Sequence, residues 1–235
     1  MCDDWLPVPT KWVLTGTAVH LHRLSLTQNF NTYYPYLSPD ERLRVARFVR
    51  AEDRRRYTVA RGMLRLLIGR YENLRPEQVQ FVHNDFGKPL LFHQTDLQFN
   101  VSHSQELALL AFTRGCAIGV DVEFRRPLAD ADDIAQHHFS SYEYNIFHSL
   151  PPSQKHQAFF NCWTRKEAFI KAIGEGLSHP LHTFDVTFLP GDEARFLRIE
   201  GEDVTTWGLQ AIHPHPDFAA ALAVARPQWT LTCYQ

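Results

Sequence analysis

Asp121 and Glu123 lie two residues apart in Ala117-Ile118-Gly119-Val120-Asp121-Val122-Glu123. In an extended chain alternate residues share a face, so Ile118, Val120 and Val122 turn to a core while Gly119, Asp121 and Glu123 share the other side, the glycine letting a ligand come close. Two carboxylates about 4 Å apart repel by roughly 4 kcal/mol at an effective dielectric near 20. Such a pair splays into water at an exposed edge, shares a proton, or holds a cation. Oxygen ligands with a phosphate partner would suit Mg²⁺.

A second group of reactive side chains lies in Phe159-Phe160-Asn161-Cys162-Trp163-Thr164-Arg165-Lys166-Glu167-Ala168-Phe169-Ile170-Lys171. At about 100° per residue Phe159, Trp163 and Ile170 fall in one narrow arc, and Glu167 stands roughly 40° from Trp163, at the margin of the buried stripe. Lys171 follows at i+4. The two form either an ordinary helix pair or a site: a carboxylate at the edge of a core suits a third metal ligand or a base.

Two loops offer phosphate-binding groups. Asp85-Phe86-Gly87-Lys88-Pro89 is a turn presenting a lysine, and Asn100-Val101-Ser102-His103-Ser104 presents two hydroxyls and an imidazole after a strand. Neighbours in an extended chain point opposite ways, so Ser102 and His103 are not a nucleophile and its base. There is no Walker loop and no dinucleotide glycine fingerprint. His137-His138 and His213-Pro214-His215 lack zinc spacing.

These residues need elements to hold them. Ser38-Pro39-Asp40-Glu41 opens a helix, and apolar residues at 60, 63, 64, 67, 68 and 71 predict a second from about Asp53 to Tyr71. Strands are expected at Val79–Val82, Leu97–Val101, Leu107–Phe112 and Ala117–Glu123. Helices follow at Ala129–His137, Ser141–Ser149 and, after Pro151-Pro152, Ser153–Ile173, which Gly174 and Gly176 end. Phe184–Phe188, Phe196–Ile199, Thr205–Ile212, Phe218–Val224 and Trp229–Cys233 complete a mixed α+β protein. Helix followed by strands occurs twice, which leaves room for two similarly built halves meeting near Gly119.

At 235 residues and 44% apolar composition the chain can bury a sizeable core, which excludes disorder. Its 24 Lys and Arg against 26 Asp and Glu exclude a global basic field. Arginines crowd Glu41–Arg70, either as a surface facing an anion or as a solvated helix face paired with Glu41, Glu52 and Asp53. Cys2, Cys116, Cys162 and Cys233 show no paired spacing, which argues against a disulfide framework and fits a reducing cytoplasm. The opening MCDDWLPVP has no signal-peptide pattern, and no apolar run is long enough to span a bilayer.

Taken in order, FGKPLL, FNVSHS, IGVDVE and FFNCWTRKEAFIKAIGEGL resemble the 4′-phosphopantetheinyl transferases of the surfactin-synthetase type, over roughly residues 38 to 190. ARGMLR and SPDERLRVARF are similar to cyanobacterial members. The resemblance implies an α+β, pseudo-twofold fold of two halves, each a small antiparallel sheet packed with a long helix. The N-terminal half, 1–118, would contact the coenzyme A nucleotide; the C-terminal half, 119–235, would carry the metal-binding acids and dock the carrier. The implied activity moves the 4′-phosphopantetheine arm from coenzyme A to a serine of an apo carrier protein, releasing adenosine 3′,5′-bisphosphate. Asp121, Glu123 and Glu167 are the implied Mg²⁺ ligands, with Asp121, Glu167 and Lys171 catalytic. Glu167 takes the serine proton, directly or through a water, and Lys171 reaches the diphosphate. Arg44, Lys88, Pro89, Ser102 and His103, with Asp121, Glu167 and Lys171, are the implied coenzyme A contacts, His103 at the 3′-phosphate. Glu41 departs from the pattern, standing where some relatives carry a lysine. Leu177 and Leu181 would meet the carrier's helix. The resemblance further implies a cytoplasmic monomer with acyl, peptidyl or polyketide carrier proteins as partners and no nucleic acid or membrane. Two rivals remain at this level: an Mg²⁺-dependent nuclease or phosphohydrolase, and a noncatalytic coenzyme A or carrier-binding module.

Overall fold

The structure is a computed structural model that describes residues 4–235; Cys2 lies outside them. In chain order it comprises β1 (Ala18–Ser25), α1 (Phe30–Tyr33), α2 (Pro39–Arg47), α3 (Ala51–Glu72), β2 (Phe81–His83), β3 (Pro89–Leu91), β4 (Leu97–Ser104), β5 (Leu107–Arg114) and β6 (Ile118–Phe124). Then come α4 (Ala131–His138), α5 (Ser141–Ser149), α6 (Pro152–Ile173), β7 (Phe184–Val186), β8 (Phe196–Ile199), β9 (Gly208–Ile212), β10 (Phe218–Val224) and β11 (Thr230–Tyr234).

Local chemistry accounts for most boundaries. Ser38 and Glu41 form a capping box on α2 with Pro39 behind the cap, and Ser140 and Glu143 form another on α5. α3 and α6, each of 22 residues, end on left-handed C-caps, Asn73 at φ 54° and Gly174 at φ 83°. The expected strand over Thr205–Ile212 begins later, because Asp203 accepts from Thr205 N and winds Val204–Thr206 into a 3₁₀ turn. The residues before Ser38, for which no strand was expected, contain β1, a central strand.

The α+β, two-half architecture is present. β1, α3, β4, β5 and β6, α6, β9, β10 follow one plan, with sheet orders β1-β5-β4 and β6-β10-β9. β11 adds to the first sheet beside β1 and runs parallel to it, so this sheet is mixed rather than wholly antiparallel, and the first half takes its outer strand from the end of the chain. Leu64, Ile68, Leu110 and Phe112 pack α3 on the first sheet; Phe169, Ala172, Ala221 and Ala223 pack α6 on the second. Between the sheets, Val19, Leu21, Leu109 and Ala111 meet Val120, Val122 and Leu222. Helix, sheet, sheet and helix therefore form four layers around three apolar interfaces.

Cys116 and Cys162 are free thiols, while Cys233 is disulfide-bonded, a pairing that the sequence spacing did not signal. Among the described residues no helix is long and apolar enough to cross a membrane.

Candidate active site

Ile118, Val120 and Val122 enter the interface between the sheets, leaving Gly119, Asp121 and Glu123 on the face toward α6, as alternation requires. A Cβ on Gly119 would lie 2.0 Å from Ala168 O and 2.3 Å from Ala172 N. The glycine thus admits a helix, which corrects the expectation that it makes room for a ligand. In register beside Gly119, Asp121 and Glu123, β10 supplies Ala223, Ala221 and Ala219, so the floor under α6 is flat. This close approach brings the last turns of α6 over the acids.

Lys171 Nζ donates to Asp121 Oδ1 at 2.5 Å and to Ser102 Oγ at 2.9 Å. Ser102 Oγ itself donates to Asp121 Oδ1 at 2.9 Å. Asp121 is 2% exposed, and its second oxygen, Oδ2, is buried with no hydrogen-bond partner. Burial, then the charge of Asp121, pushes Glu167 up to about 7, with Lys171 opposing and Glu123 adding to the rise. Glu123 is also raised, first by burial and then by Asp121, against Ser104, Lys171 and Arg126. Three acids thus share one field with one lysine.

That donor set fits a hard divalent cation. An orphaned buried carboxylate oxygen is an acceptor in want of a partner, and two neighbouring acids are held toward protonation by burial and by the charge of Asp121. Among the described residues, no three His, Cys, Asp or Glu side chains are already gathered as a ligand cluster. Lys171 instead occupies one oxygen of Asp121 as its counterion.

The remaining expected contacts divide between two faces of β4. Ser102 is buried and turns to Asp121, while His103 turns away into a cavity of about 310 Å³ with Arg44, Arg56, Tyr57 and Gln105. Arg44 and His103, far apart in sequence, therefore line one cavity, which Asp53 also lines, and the Arg44 guanidinium lies 5.0 Å from the Tyr57 ring centroid. Beside it, sharing Arg44 and Phe48, is a hollow of about 610 Å³ that also includes Arg47. Arg56 belongs to the arginine crowding, which says nothing of direction, and Tyr57 escaped sequence reasoning.

Lys88 does not reach outward to an anion. Its ammonium donates to Ala172 O at 2.8 Å, at the C-terminal turn of α6, and burial lowers it to about 8. Asn84 supports the same corner by donating to Gly174 O at 2.7 Å. Pro89 opens β3 and lines a separate cavity of about 190 Å³. Glu41 is buried and accepts from Arg61 and, at 2.7 Å, from Arg65, so it locks α2 to α3. Arg55 and Arg56 pair with Glu106. Four of the crowded arginines, Arg55, Arg56, Arg61 and Arg65, are thus paired with acids within the fold. Leu181 is 4% exposed and packs in the core, which corrects its assignment to carrier docking; the side chain of Leu177 lies outside the described residues.

Sequence reasoning also missed a fully buried pair. Lys166 donates to Leu181 O and Phe184 O and pairs with Glu143 at 2.7 Å, tying α5, α6 and the segment after α6 together. A buried lysine in a helix otherwise read as presenting Glu167 had no periodic signal.

Two adjoining families match this frame: the 4′-phosphopantetheinyl transferase superfamily over residues 117–223, and the N-terminal region of 4′-phosphopantetheinyl transferases over residues 24–114. The chain belongs to the 4′-phosphopantetheinyl transferase superfamily and is a transferase of that kind. Within it, the chain is similar to the 4′-phosphopantetheinyl transferase HetI of Nostoc sp., 38% identical over 96% of this chain and 95% of the relative. It is also similar to the 4′-phosphopantetheinyl transferase Sfp of Bacillus subtilis, 30% identical over 72% of this chain and 74% of the relative. A holo-(acyl-carrier-protein) synthase from Bacillus anthracis in complex with CoA (3′,5′-ADP) aligns over 48% of this chain and 96% of its own, at 21% identity and a TM-score of 0.39.

Proposed function

We propose that the seam between β4, β6 and α6 transfers 4′-phosphopantetheine from coenzyme A to the serine of an apo carrier protein in an Mg²⁺-dependent reaction. The observation that carries this reading is Asp121, buried between a lysine and a serine with one carboxylate oxygen unpartnered. Asp121, Glu123 and Glu167 would hold the cation, which when bound would neutralise charge on the diphosphate.

Lys171, which bridges Asp121 and Ser102, would stabilise the phosphate that leaves. The serine oxygen forms a bond to the β-phosphorus, the bond from that phosphorus to the oxygen bridging to the α-phosphate breaks, and adenosine 3′,5′-bisphosphate departs. Glu167 would take the serine proton, either directly or, while it holds the cation, through a water. Arg44 and His103 take the 3′-phosphate in their shared cavity. Ser102 orients Asp121 and Lys171, and Lys88 braces the end of α6.

Both sides of the seam come from one chain, which supports action as a monomer, and dependence on coenzyme A supports a cytoplasmic setting. Acyl, peptidyl and polyketide carriers all present the same serine. The test is whether an apo carrier protein is loaded only when coenzyme A and Mg²⁺ are both supplied.

A further inference from the structure

β4 and β6 lie side by side but share no backbone ladder, for β6 pairs only with β10 and β4 only with β5. The outer edge of β6 would therefore leave a row of amides bare. Side chains satisfy them. Val120 N donates to Asn100 Oδ1 at 2.9 Å, Val122 N to Ser102 Oγ at 3.3 Å and Phe124 N to Ser104 Oγ at 3.1 Å. Donors and acceptors each advance by two residues, so three short polar side chains on one face of β4 do the work of a strand. Two of them continue to the acids: Ser102 Oγ donates to Asp121 and Ser104 Oγ donates to Glu123 Oε2 at 3.0 Å.

The other half of the molecule supplies a comparison. Aligning the helix C-caps Asn73 and Gly174 and counting back equally pairs His20 with Asp121 and His22 with Glu123. Strand register extends the match: His20 faces Phe112, which faces Phe99, while Asp121 faces Ala221, which faces Ala211. Counted on from Ala211, Ile212, Pro214 and Pro216 correspond in sequence to Asn100, Ser102 and Ser104, the two prolines lying past the end of β9. None of those three side chains accepts a hydrogen bond. The free edge of β1 is closed by the backbone of β11 instead. A side-chain ladder thus occurs at the acid-bearing seam and is missing from its counterpart, which a merely generic way of joining the halves would not explain.

We infer that Asn100, Ser102 and Ser104 form a side-chain ladder that fixes β6 against β4, and that through it Ser104 is a positioning residue for Glu123. Each hydroxyl accepts from a β6 amide and donates to the carboxylate one residue before it, so backbone register and carboxylate direction are set by one atom. The inference deepens the transferase reading and rests on it for the purpose of Glu123.

The test uses the full chain with Ser104→Ala and the hydroxyl-retaining Ser104→Thr. Residue-level hydrogen exchange reads the Phe124 amide, and paramagnetic Mn²⁺ titration reads the acid site without turnover. Ser104→Ala is expected to speed Phe124 exchange about tenfold and weaken Mn²⁺ several-fold, with Ser104→Thr close to wild type in both. Unchanged Phe124 exchange in Ser104→Ala overturns the ladder. Faster exchange with unchanged Mn²⁺ affinity overturns the positioning role. Wild-type protein that fails to load any carrier overturns the transferase reading instead, while leaving the exchange result to decide the ladder.

Discussion

Lys171 Nζ and Asp121 Oδ1 are 2.5 Å apart, joining the last turn of α6 to the middle of β6. The pair is possible because Gly119 lets the helix backbone down onto the strand, and because Ala172 and the β10 alanines keep the interface thin. It leaves Asp121 with one oxygen committed and one available, and it sets Glu167 and Glu123 in the field of a buried negative charge. The chemistry of the seam follows from that single contact.

Glu167→Gln should reduce transfer by about 10²- to 10⁴-fold, the usual contribution of a positioned base. The fold should gain stability at neutral pH. A carboxyl raised in the folded state from 4.5 to about 7 makes the native protein bind more protons than the unfolded chain between those values, so stability falls as pH rises through that window. The glutamine removes that dependence. Melting temperatures of the metal-free protein from pH 5 to 8, with transfer rates beside them, check both halves of the expectation.

Gly119→Ala should cost the protein its site without touching a polar group. A methyl 2.0 Å from Ala168 O has only backbone to push against, so α6 must lift and carry Lys171 from Asp121. A sharply lowered melting temperature or loss of soluble protein is expected. Wild-type stability would show that the helix does not rest on β6 as described.

His103→Ala and Arg44→Ala should each raise KM for coenzyme A more than KM for 3′-dephospho-coenzyme A, since both line the cavity assigned to the 3′-phosphate. Steady-state kinetics with the two substrates reads the difference. An equal loss for both would move the nucleotide elsewhere.

His20 and His22, the counterparts of the two acids, are buried against the Tyr71 hydroxyl at 2.8 Å each, with Trp12 and Tyr234 around them. Burial lowers His20 from the usual 6.5 to about 4 and, with the charge of His20, His22 to about 3. Below pH 6.5 the unfolded chain takes up protons that the folded protein refuses, so stability is lost as pH falls toward 4. Replacing both with Gln should flatten the decline in melting temperature between pH 6.5 and 4.5.

How much of this was legible in the sequence differs by kind of residue. Asp121, Glu123, Glu167 and Lys171 were isolated by period alone, because strand alternation and helix geometry place side chains before any partner is known. Elements with caps or breakers, such as α5 between Ser140 and Leu150, were found at their true bounds. Partners across the fold were not. Lys88 reads as an exposed turn lysine until the end of α6 is seen to lie against it, and Leu181 reads as an exposed apolar residue until it is seen buried in the core beneath the second sheet's helix cluster. Asn100 and Ser104 carried no signal as positioning residues, since their meaning lies in amides twenty residues away. Glu41 was noted as a departure; that it is an internal clasp for Arg61 and Arg65 needed the structure.

The central claim is most directly tested by intact-protein mass spectrometry of an apo acyl carrier protein incubated with this protein, coenzyme A and Mg²⁺, beside an EDTA control. The account predicts a gain of one phosphopantetheine arm that EDTA abolishes. No gain across acyl, peptidyl and polyketide carriers, with coenzyme A still bound, would contradict it.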